Sequence, residues 1–305
     1  MRTFQALPAL WLALMLACLA PYADARNAKA ARRQLEGSML VTGRVTVTDA
    51  GTVAGWTIDR PEDLPPEVVG VIEASAPRWR FEPILVDGSP VHGSARMSLR
   101  MVAERLDQER FRVSIRDGYF GREAVRMARR VDGVPEAFAD RAPADRVSTA
   151  RMNAPSYAQQ ALQAGVTGIV YLVLRVGPSG QVVDAAAEQV NLRVVGVERE
   201  MVRMREMLAR SALAAARQWQ FDPPAGEESG AEPFRSVRVP VDYSISGGER
   251  SGYGQWQVYV PGPRQPVPWL MDSIEGAGVA PDALVAGEVH QVGMGLRLLG
   301  PLEGG

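Results

Sequence analysis

Two stretches of this chain repeat one pattern, and the repetition constrains the fold more than any other feature. Residues 41–53 read VTGRVTVTDAGTV and residues 166–183 read VTGIVYLVLRVGPSGQVV. In each, apolar residues alternate after Val-Thr-Gly and lead to a glycine turn, which predicts a half-buried strand followed by a return strand. Later, residues 79–83 (WRFEP) are matched by residues 219–223 (WQFDP). The sequence therefore predicts that a strand–turn–strand–helix–strand unit occurs twice.

Helices are predicted between the strands of each unit. In the first unit Asp63 is a candidate N-cap, and the prolines that follow it stand where a helix start tolerates them. In the second unit a short helix over 155–164 leads into the first strand, and a long helix runs from about Glu198 to Trp219. Helices on one face of small antiparallel sheets give an α+β fold. We therefore predict two units, each a small antiparallel sheet packed by helices.

Composition along the chain predicts five segments. They are a signal peptide at 1–25, a first unit at 38–103, a connecting region at 104–150, a second unit at 151–246 and a Gly/Pro-rich tail at 247–305. The tail contains VPGPRQPVPW, which favours extended, polyproline-like backbone. We expect the tail to be loosely ordered, or to become ordered only against another surface, either the second unit or a partner.

The N-terminal segment has the pattern of an export signal. Arg2 is followed by an uncharged stretch, ALPALWLALMLACLA at 6–20, and then by Ala-Asp-Ala at 23–25. This order is typical of a cleaved secretory signal and predicts a periplasmic protein. Two alternatives stay open: lipidation of Cys18, which would give a lipoprotein, and an uncleaved segment that anchors the chain in the inner membrane. Membrane contact is expected only in these two cases.

Charge and motif content exclude several function classes. The 305-residue chain has a formal net charge of −1, which gives no general attraction to nucleic acid. It has two histidines, His92 and His290, and one cysteine, and it lacks paired metal-ligand motifs and a nucleophile elbow. The GPSG sequence at 177–180 is a hairpin turn, because no Gly-Lys-Ser/Thr follows it. We therefore expect no enzyme activity, no cofactor and no metal.

The second unit resembles the TonB C-terminal domain family. The motifs that carry the resemblance are SYAQQALQAGVTGIVYLVLRVGPSGQVV at 156–183, ALAAARQWQFDPP at 212–224 and VRVPVDYSI at 237–245. Ala158 stands where the family usually has proline. The first unit looks like a degenerate relative through VTGRV and WRFEP. The resemblance implies a domain whose last strand pairs with a short extended peptide of an outer-membrane transporter.

A partner-binding surface is predicted along the last strand of the second unit. As a sheet edge, this strand would offer unpaired backbone groups to an added strand. An ordinary edge, guarded by Arg235, Arg238 and Pro240, is the alternative. The helix start before the sheet is a second candidate contact, with solvated side chains at a helix end as its alternative. The predicted partner-binding residues are Tyr157, Gln160, Arg235, Val237, Val239, Val241 and Tyr243.

Three interpretations of function follow from the sequence. The first is a periplasmic, non-enzymatic TonB-like protein that binds an envelope protein or transporter peptide by β-strand addition. The second is a membrane-anchored TonB energy transducer for outer-membrane transport. The third is an envelope scaffold or an edge-paired homodimer. The predicted partner is an outer-membrane TonB-dependent transporter or another envelope protein, with no nucleic acid.

Overall fold

The structure is a computed structural model with two sheet-and-helix units and a C-terminal tail. It describes residues 36–86, 88–105, 110–121, 125–127, 130–131, 134–135, 139–141, 148–157, 159–222, 234–245, 253–271, 280–293 and 295–303. The signal segment predicted at 1–25, with Cys18, lies outside the described residues.

The secondary structure is a set of antiparallel strands with a few helices. The strands are β1 (Glu36–Val47), β2 (Val53–Ile58), β3 (Ile84–Val86), β4 (Ser89–Val91), β5 (Gly93–Arg105), β6 (Phe111–Gly121), β7 (Val125–Met127), β8 (Arg130–Val131), β9 (Val134–Pro135), β10 (Ala139–Arg141), β11 (Ser148–Arg151), β12 (Gly168–Val176), β13 (Val182–Leu192), β14 (Gln220–Asp222), β15 (Arg235–Tyr243), β16 (Gln257–Tyr259) and β17 (His290–Gln291). The α-helices are α1 (Pro66–Ser75), α2 (Gln159–Gln163) and α3 (Glu198–Ala216). The predicted α+β class is confirmed.

Helix starts and ends differ in places from the sequence prediction. Asp63 ends a short 3-10 turn, and α1 begins at Pro66 with Pro65 as its N-cap, so the prediction of Asp63 as N-cap is wrong. Leu64 and Pro65 each precede a proline, and the proline ring pushes the residue before it out of the helical region; both are extended, with ψ of 147° and 137°. The helix α3 ends at Ala216, before Trp219.

The first unit is a sheet in the order β16-β1-β5-β6. One edge of β1 is shared by two strands: β16 pairs with residues 36–38 and β2 pairs with residues 43–47. Along β5, Met97, Leu99 and Met101 point into the core beside α1, whereas Ser98 and Arg100 lie on the opposite face. The strand β6 pairs along β5, so this sheet extends to Gly121, past the boundary predicted at 103.

The second unit is a sheet in the order β13-β12-β15-β17. The amphipathic helix α3 covers one face with buried Met201, Leu208 and Ala212. Trp219 and Phe221, after the helix, close the end of this core. Burying such large apolar side chains stabilises the fold by about 1.5–3 kcal/mol each.

The repeated sequence motifs make the same backbone contacts in both units. The N–H of Phe81 donates to the carbonyl of Gly51 at 2.8 Å, and the N–H of Phe221 donates to that of Gly180 at 2.8 Å. The glycines of the two Val-Thr-Gly motifs lie directly against the return strand. A Cβ at Gly43 would be 2.2 Å from the carbonyl oxygen of Thr57, and one at Gly168 would be 2.3 Å from that of Asn191. Close backbone approach explains why both motifs contain glycine.

The C-terminal tail packs against both units in turn. Residues 257–259 pair with β1 of the first unit, and Val260 exchanges two backbone hydrogen bonds with Leu192 of the second unit at 2.7 and 3.0 Å. Residues 281–283 contact β5 and β6, β17 pairs with β15, and Leu298 bridges to Phe81. Of the two outcomes expected for the tail, the structure therefore shows order against the chain's own units.

A seam of polar groups joins the tail to the first unit. The Arg100 guanidinium donates to the backbone carbonyl of Asp282 and to the Ser38 hydroxyl, and Ser98 donates to the carbonyl of Ala283. Asp117 lies opposite Arg100 in the β5–β6 register. Burial, and then the nearby Asp282 charge, raises the pKa of Asp117 to about 6, while Arg116, Arg100 and Arg264 oppose the shift.

Replacing Gly168 with alanine tests the close approach of the two backbones. We expect Gly168→Ala to destabilise the chain by about 1–3 kcal/mol, because the new Cβ would force β12 away from the return strand. Gly70→Ala is the matched control: Gly70 is an exposed helix residue with open space around it, so alanine there should be neutral or stabilising. Denaturant unfolding of the full chain measures both. Equal effects would contradict the account.

Replacing Asp117 with asparagine tests whether ionisation of the Asp117 carboxyl destabilises the folded chain. The pKa of Asp117 is raised from 3.8 to about 6 in the folded chain, so ionisation costs stability. The cost is absent below about pH 3.8 and fully present above about pH 6. We expect Asp117→Asn to raise the unfolding temperature at pH 7.5 and to leave it unchanged at pH 3.5. Asp49→Asn, in an exposed turn, is the control; a gain that does not vary with pH would refute the assignment.

Candidate functional site

The strand predicted to bind a partner, β15, pairs with β12 along its inner edge and with the tail along its outer edge. Val237, Val239, Val241 and Tyr243 are buried in the core of the second unit. Their side chains therefore hold the strand in place and are not available to a partner. Val239 lies opposite Leu172 of β12, so a proline at Val239 would break the central ladder and destabilise the whole unit. Arg235, at the start of the strand, is half-buried.

The outer edge of β15 presents the backbone groups of the alternate residues. The carbonyls of Ser236 and Pro240 point away from β12, because each accepts a hydrogen bond from the tail: Val292 donates to Ser236 and Gly287 to Pro240, both at 2.9 Å. Between them Arg238 lies opposite His290 in β17. Pro240 has no N–H to offer at this edge, which is where sheets tolerate proline. The edge that the sequence suggested was open is thus occupied by the chain's own tail.

A buried ion pair supports the sheet face behind this edge. The Arg238 Nε donates to the Glu188 carboxylate at 2.8 Å, and both side chains are 3% exposed. Arg264 of the tail donates to the other oxygen of the same carboxylate at 2.6 and 2.9 Å. Two guanidinium groups satisfy the carboxylate, which is the condition under which a buried charge is tolerated. The tail therefore closes the face of the sheet as well as its edge.

Tyr157 reaches the far end of β15. Its ring packs edge-on against Tyr243 with 5.3 Å between ring centres, and its hydroxyl donates to the carbonyl of Val166. The Tyr243 hydroxyl donates to Ser211 Oγ at 2.9 Å, and Ser211 donates to the carbonyl of Ser156 at 2.6 Å. Burial raises the pKa of both tyrosines. These contacts bind residues 153–157, the lead-in segment before α2, to the sheet, so Tyr157 has a structural role.

Gln160 does not join the edge. It is exposed on α2 and lines an open groove of about 780 Å³ between the lead-in segment and α3. The groove has mostly small and amide side chains, with Arg210 as its charged residue. The structure therefore places Gln160 in a groove whose wall includes Ser211, the residue that accepts from the Tyr243 hydroxyl, whereas the predicted residues of β15 belong to the core and the strand.

Several residues of this site were missed by the sequence interpretation. Glu188 stands in the return strand DAAAEQV, where nothing marks a buried charge, and its partners lie in β15 and the tail. The tail strand had no such signal either: the two valines of EVHQV at 288–292 are three positions apart and do not alternate, and the glycine-rich surroundings favoured loose order. His290 is buried beside Tyr119, with 5.0 Å between ring centres. Burial lowers the pKa of His290 to about 4, so this ring is neutral near pH 7.

The described residues show neither a metal cluster nor a membrane helix. Among them, no group of three or more histidine, cysteine or acidic side chains is arranged to hold a metal ion. In the same part of the chain no helix combines the length and the hydropathy needed to cross a bilayer. What this arrangement offers chemically is a backbone edge and flanking charges, which suit recognition of an extended peptide.

Known proteins resemble part of this chain. No protein-family model matches it. The TonB proteins of two Xanthomonas campestris pv. campestris strains, B100 and ATCC 33913, are each 33% identical over 100 residues, which is 33% of this chain and 39% of theirs. The chain thus matches about two fifths of the length of these relatives. A solution NMR structure of the Pseudomonas aeruginosa TonB CTD overlaps 34% of this chain and 90% of its own, at 20% identity and a TM-score of 0.24. By the sequence match, about a third of this chain is similar to part of the TonB proteins.

Proposed function

We propose that this chain is a non-enzymatic, TonB-like protein of the periplasm that binds an extended segment of an envelope protein by β-strand addition. The acceptor is the outer edge of β15, and the partner class is an outer-membrane TonB-dependent transporter. One observation carries the proposal: this edge already holds an antiparallel segment through backbone hydrogen bonds. The similarity to TonB proteins supports the partner class.

The edge suits a weak, exchangeable strand. Main-chain hydrogen bonds give affinity in β-strand addition and need no particular side chain. Each contributes about 0.5–1.5 kcal/mol net, and Pro240 removes one donor from the ladder. The resident β17 is paired over two residues, His290 and Gln291. A partner segment that paired over more residues than these two would make a longer ladder than the tail makes.

An anchored energy transducer is the alternative that depends on residues 1–35. Those residues decide whether the chain stays in the membrane, and they lie outside the described structure. Mass spectrometry of the chain isolated from the envelope distinguishes the cases. A start at Arg26 supports the periplasmic protein, an intact Met1 supports the anchored one, and a lipidated Cys18 at the start supports the lipoprotein. An edge-paired dimer would have to displace the tail from the same edge, and it is less favoured because the similarity to TonB proteins supports a transporter as the partner.

Site-specific photo-crosslinking tests the acceptor edge in cells. Asp242 is an exposed residue of β15 beyond the last tail hydrogen bond, at Pro240. We expect a photo-reactive residue at Asp242 to capture a TonB-dependent transporter through an extended segment, identified by peptide mass spectrometry. The matched control is the same residue at Leu85, an exposed hydrophobic position of the first unit.

Two results would contradict the proposal. Equal capture at Asp242 and Leu85 would show that contact is not made at the edge. Capture of the transporter through a folded domain, with no extended segment attached, would show that strand addition is not the mode of binding.

A further inference from the structure

The tail strand lies in a cleft to which both units contribute. Its backbone is bound by β15 of the second unit, at Ser236, Arg238 and Pro240. Its side chains reach the first unit: Glu288 lies 3.6 Å from Arg96 of β5, and His290 packs against Tyr119 of β6. One unit therefore provides the strand edge, and the other provides side chains that contact the bound strand.

We propose that residues 285–293, VAGEVHQVG, are an internal mimic of the partner segment, and that Arg96 and Tyr119 of the first unit select the partner's side chains. This inference rests on the proposed function. It identifies the partner segment by chemistry: glycine opposite Pro240, an acidic residue next, and a neutral planar ring two positions later. The first unit then has a role in specificity that a single TonB-like unit would lack.

The glycine position is set by backbone geometry. Gly287 has φ of +83°, a left-handed conformation that costs other residues roughly 1–2 kcal/mol, and its N–H donates to Pro240. The turn at 285–288 is closed by the N–H of Glu288, which donates to the carbonyl of Val285 at 3.3 Å. A partner segment that turns into the cleft at the same point needs the same freedom. Glycine is therefore favoured opposite Pro240.

The positions of Glu288 and His290 differ in the charge that they accept. The pair between Arg96 and Glu288 is partly exposed, with side chains 39% and 37% exposed, so it gives modest selectivity for an acid. His290 is buried, with Arg96 and Arg238 both close enough to disfavour a positive charge there. A cationic side chain in that position would be buried beside two guanidinium groups. This position should therefore strongly reject lysine.

A reversible lock on the tail tests whether the partner and the tail share the cleft. Val237 and Gln291 lie opposite each other in β15 and β17. The backbone groups of Ser236, on one side of Val237, point to β17, so those of Val237 point to β12 and the Val237–Gln291 pair exchanges no backbone hydrogen bond. Such pairs bring Cα atoms to about 4.5 Å, within disulfide range. The variant is Val237→Cys with Gln291→Cys in the full chain carrying Cys18→Ser. The probe is a fluorescent peptide that copies residues 285–293.

We expect the peptide to bind the reduced variant and to lose binding, by at least about tenfold, when the disulfide forms. Equal binding in both states would overturn the inference, because the peptide would then sit elsewhere. A peptide that binds neither state would also overturn it. Neither result would contradict the proposed function, because the Asp242 crosslink tests that function with the native partner and without a copied peptide.

A second comparison needs no disulfide. The resident tail competes at a high effective concentration, so weakening it in the full chain by Gly287→Val and Glu288→Lys should raise peptide affinity by about tenfold over the native chain. In the peptide, Glu288→Lys should weaken binding up to about fivefold and His290→Lys by more than about tenfold.

Charge reversal at Arg96 gives the sharpest test of the first unit's role. Arg96→Glu should make the chain prefer the Glu288→Lys peptide over the native peptide. Arg78→Glu, at an exposed position in the 3-10 turn that follows α1, is the matched control and should leave the order of the two peptides unchanged. The same preference in the native chain and in Arg96→Glu would overturn the assignment of Arg96 as a selecting residue.

Discussion

Unpaired backbone groups at sheet edges are the constraint on which the rest of this structure depends. Each sheet leaves rows of N–H and C=O groups that have to find partners in water, in the chain or in another protein. The tail meets several of these rows in sequence: β16 pairs with β1, Val260 with Leu192 of β13, and β17 with β15. Edge pairing, together with the burial of apolar tail residues such as Val260 and Leu284, thus explains why a proline- and glycine-rich segment is ordered here.

The same constraint links protection to function. An edge that is covered by a short strand is guarded against aggregation, yet it keeps the geometry that accepts a strand. In β15 the guard is β17, and Pro240 limits how many hydrogen bonds any occupant makes. Because β17 pairs with β15 over only two residues, a partner strand that forms a longer ladder would be able to replace β17. The TonB-like unit therefore differs from a bare acceptor domain in having its own occupant.

Buried charges help to hold the tail in place, beside the apolar contacts that it makes with both cores. The Glu188 carboxylate is shared by Arg238 of the sheet and Arg264 of the tail, and Arg100 of the first unit binds the carbonyl of Asp282. Such groups are tolerated because each is hydrogen-bonded, and their geometry fixes the position of the tail more narrowly than apolar contact would.

The sequence by itself determined the two units. Alternating apolar residues specify which face of each strand is buried, the Val-Thr-Gly glycines specify where two backbones touch, and the Trp-x-Phe-x-Pro corners end the helix region. These are local patterns with a period of two or of about 3.6 residues, so they can be read without knowing the fold. They also predicted Val237, Val239, Val241 and Tyr243 as one face of the last strand.

Tertiary structure alone decided what those residues do. The four side chains face the core and leave only backbone at the edge, and the occupant of that edge comes from residues about fifty positions later in the chain. Glu188, Arg238 and Arg264 meet only once the tail has folded back, and no local pattern marks a charge that will be buried. The physical reason is that strand edges and buried ion pairs are completed by distant segments, whereas core faces are specified by neighbours.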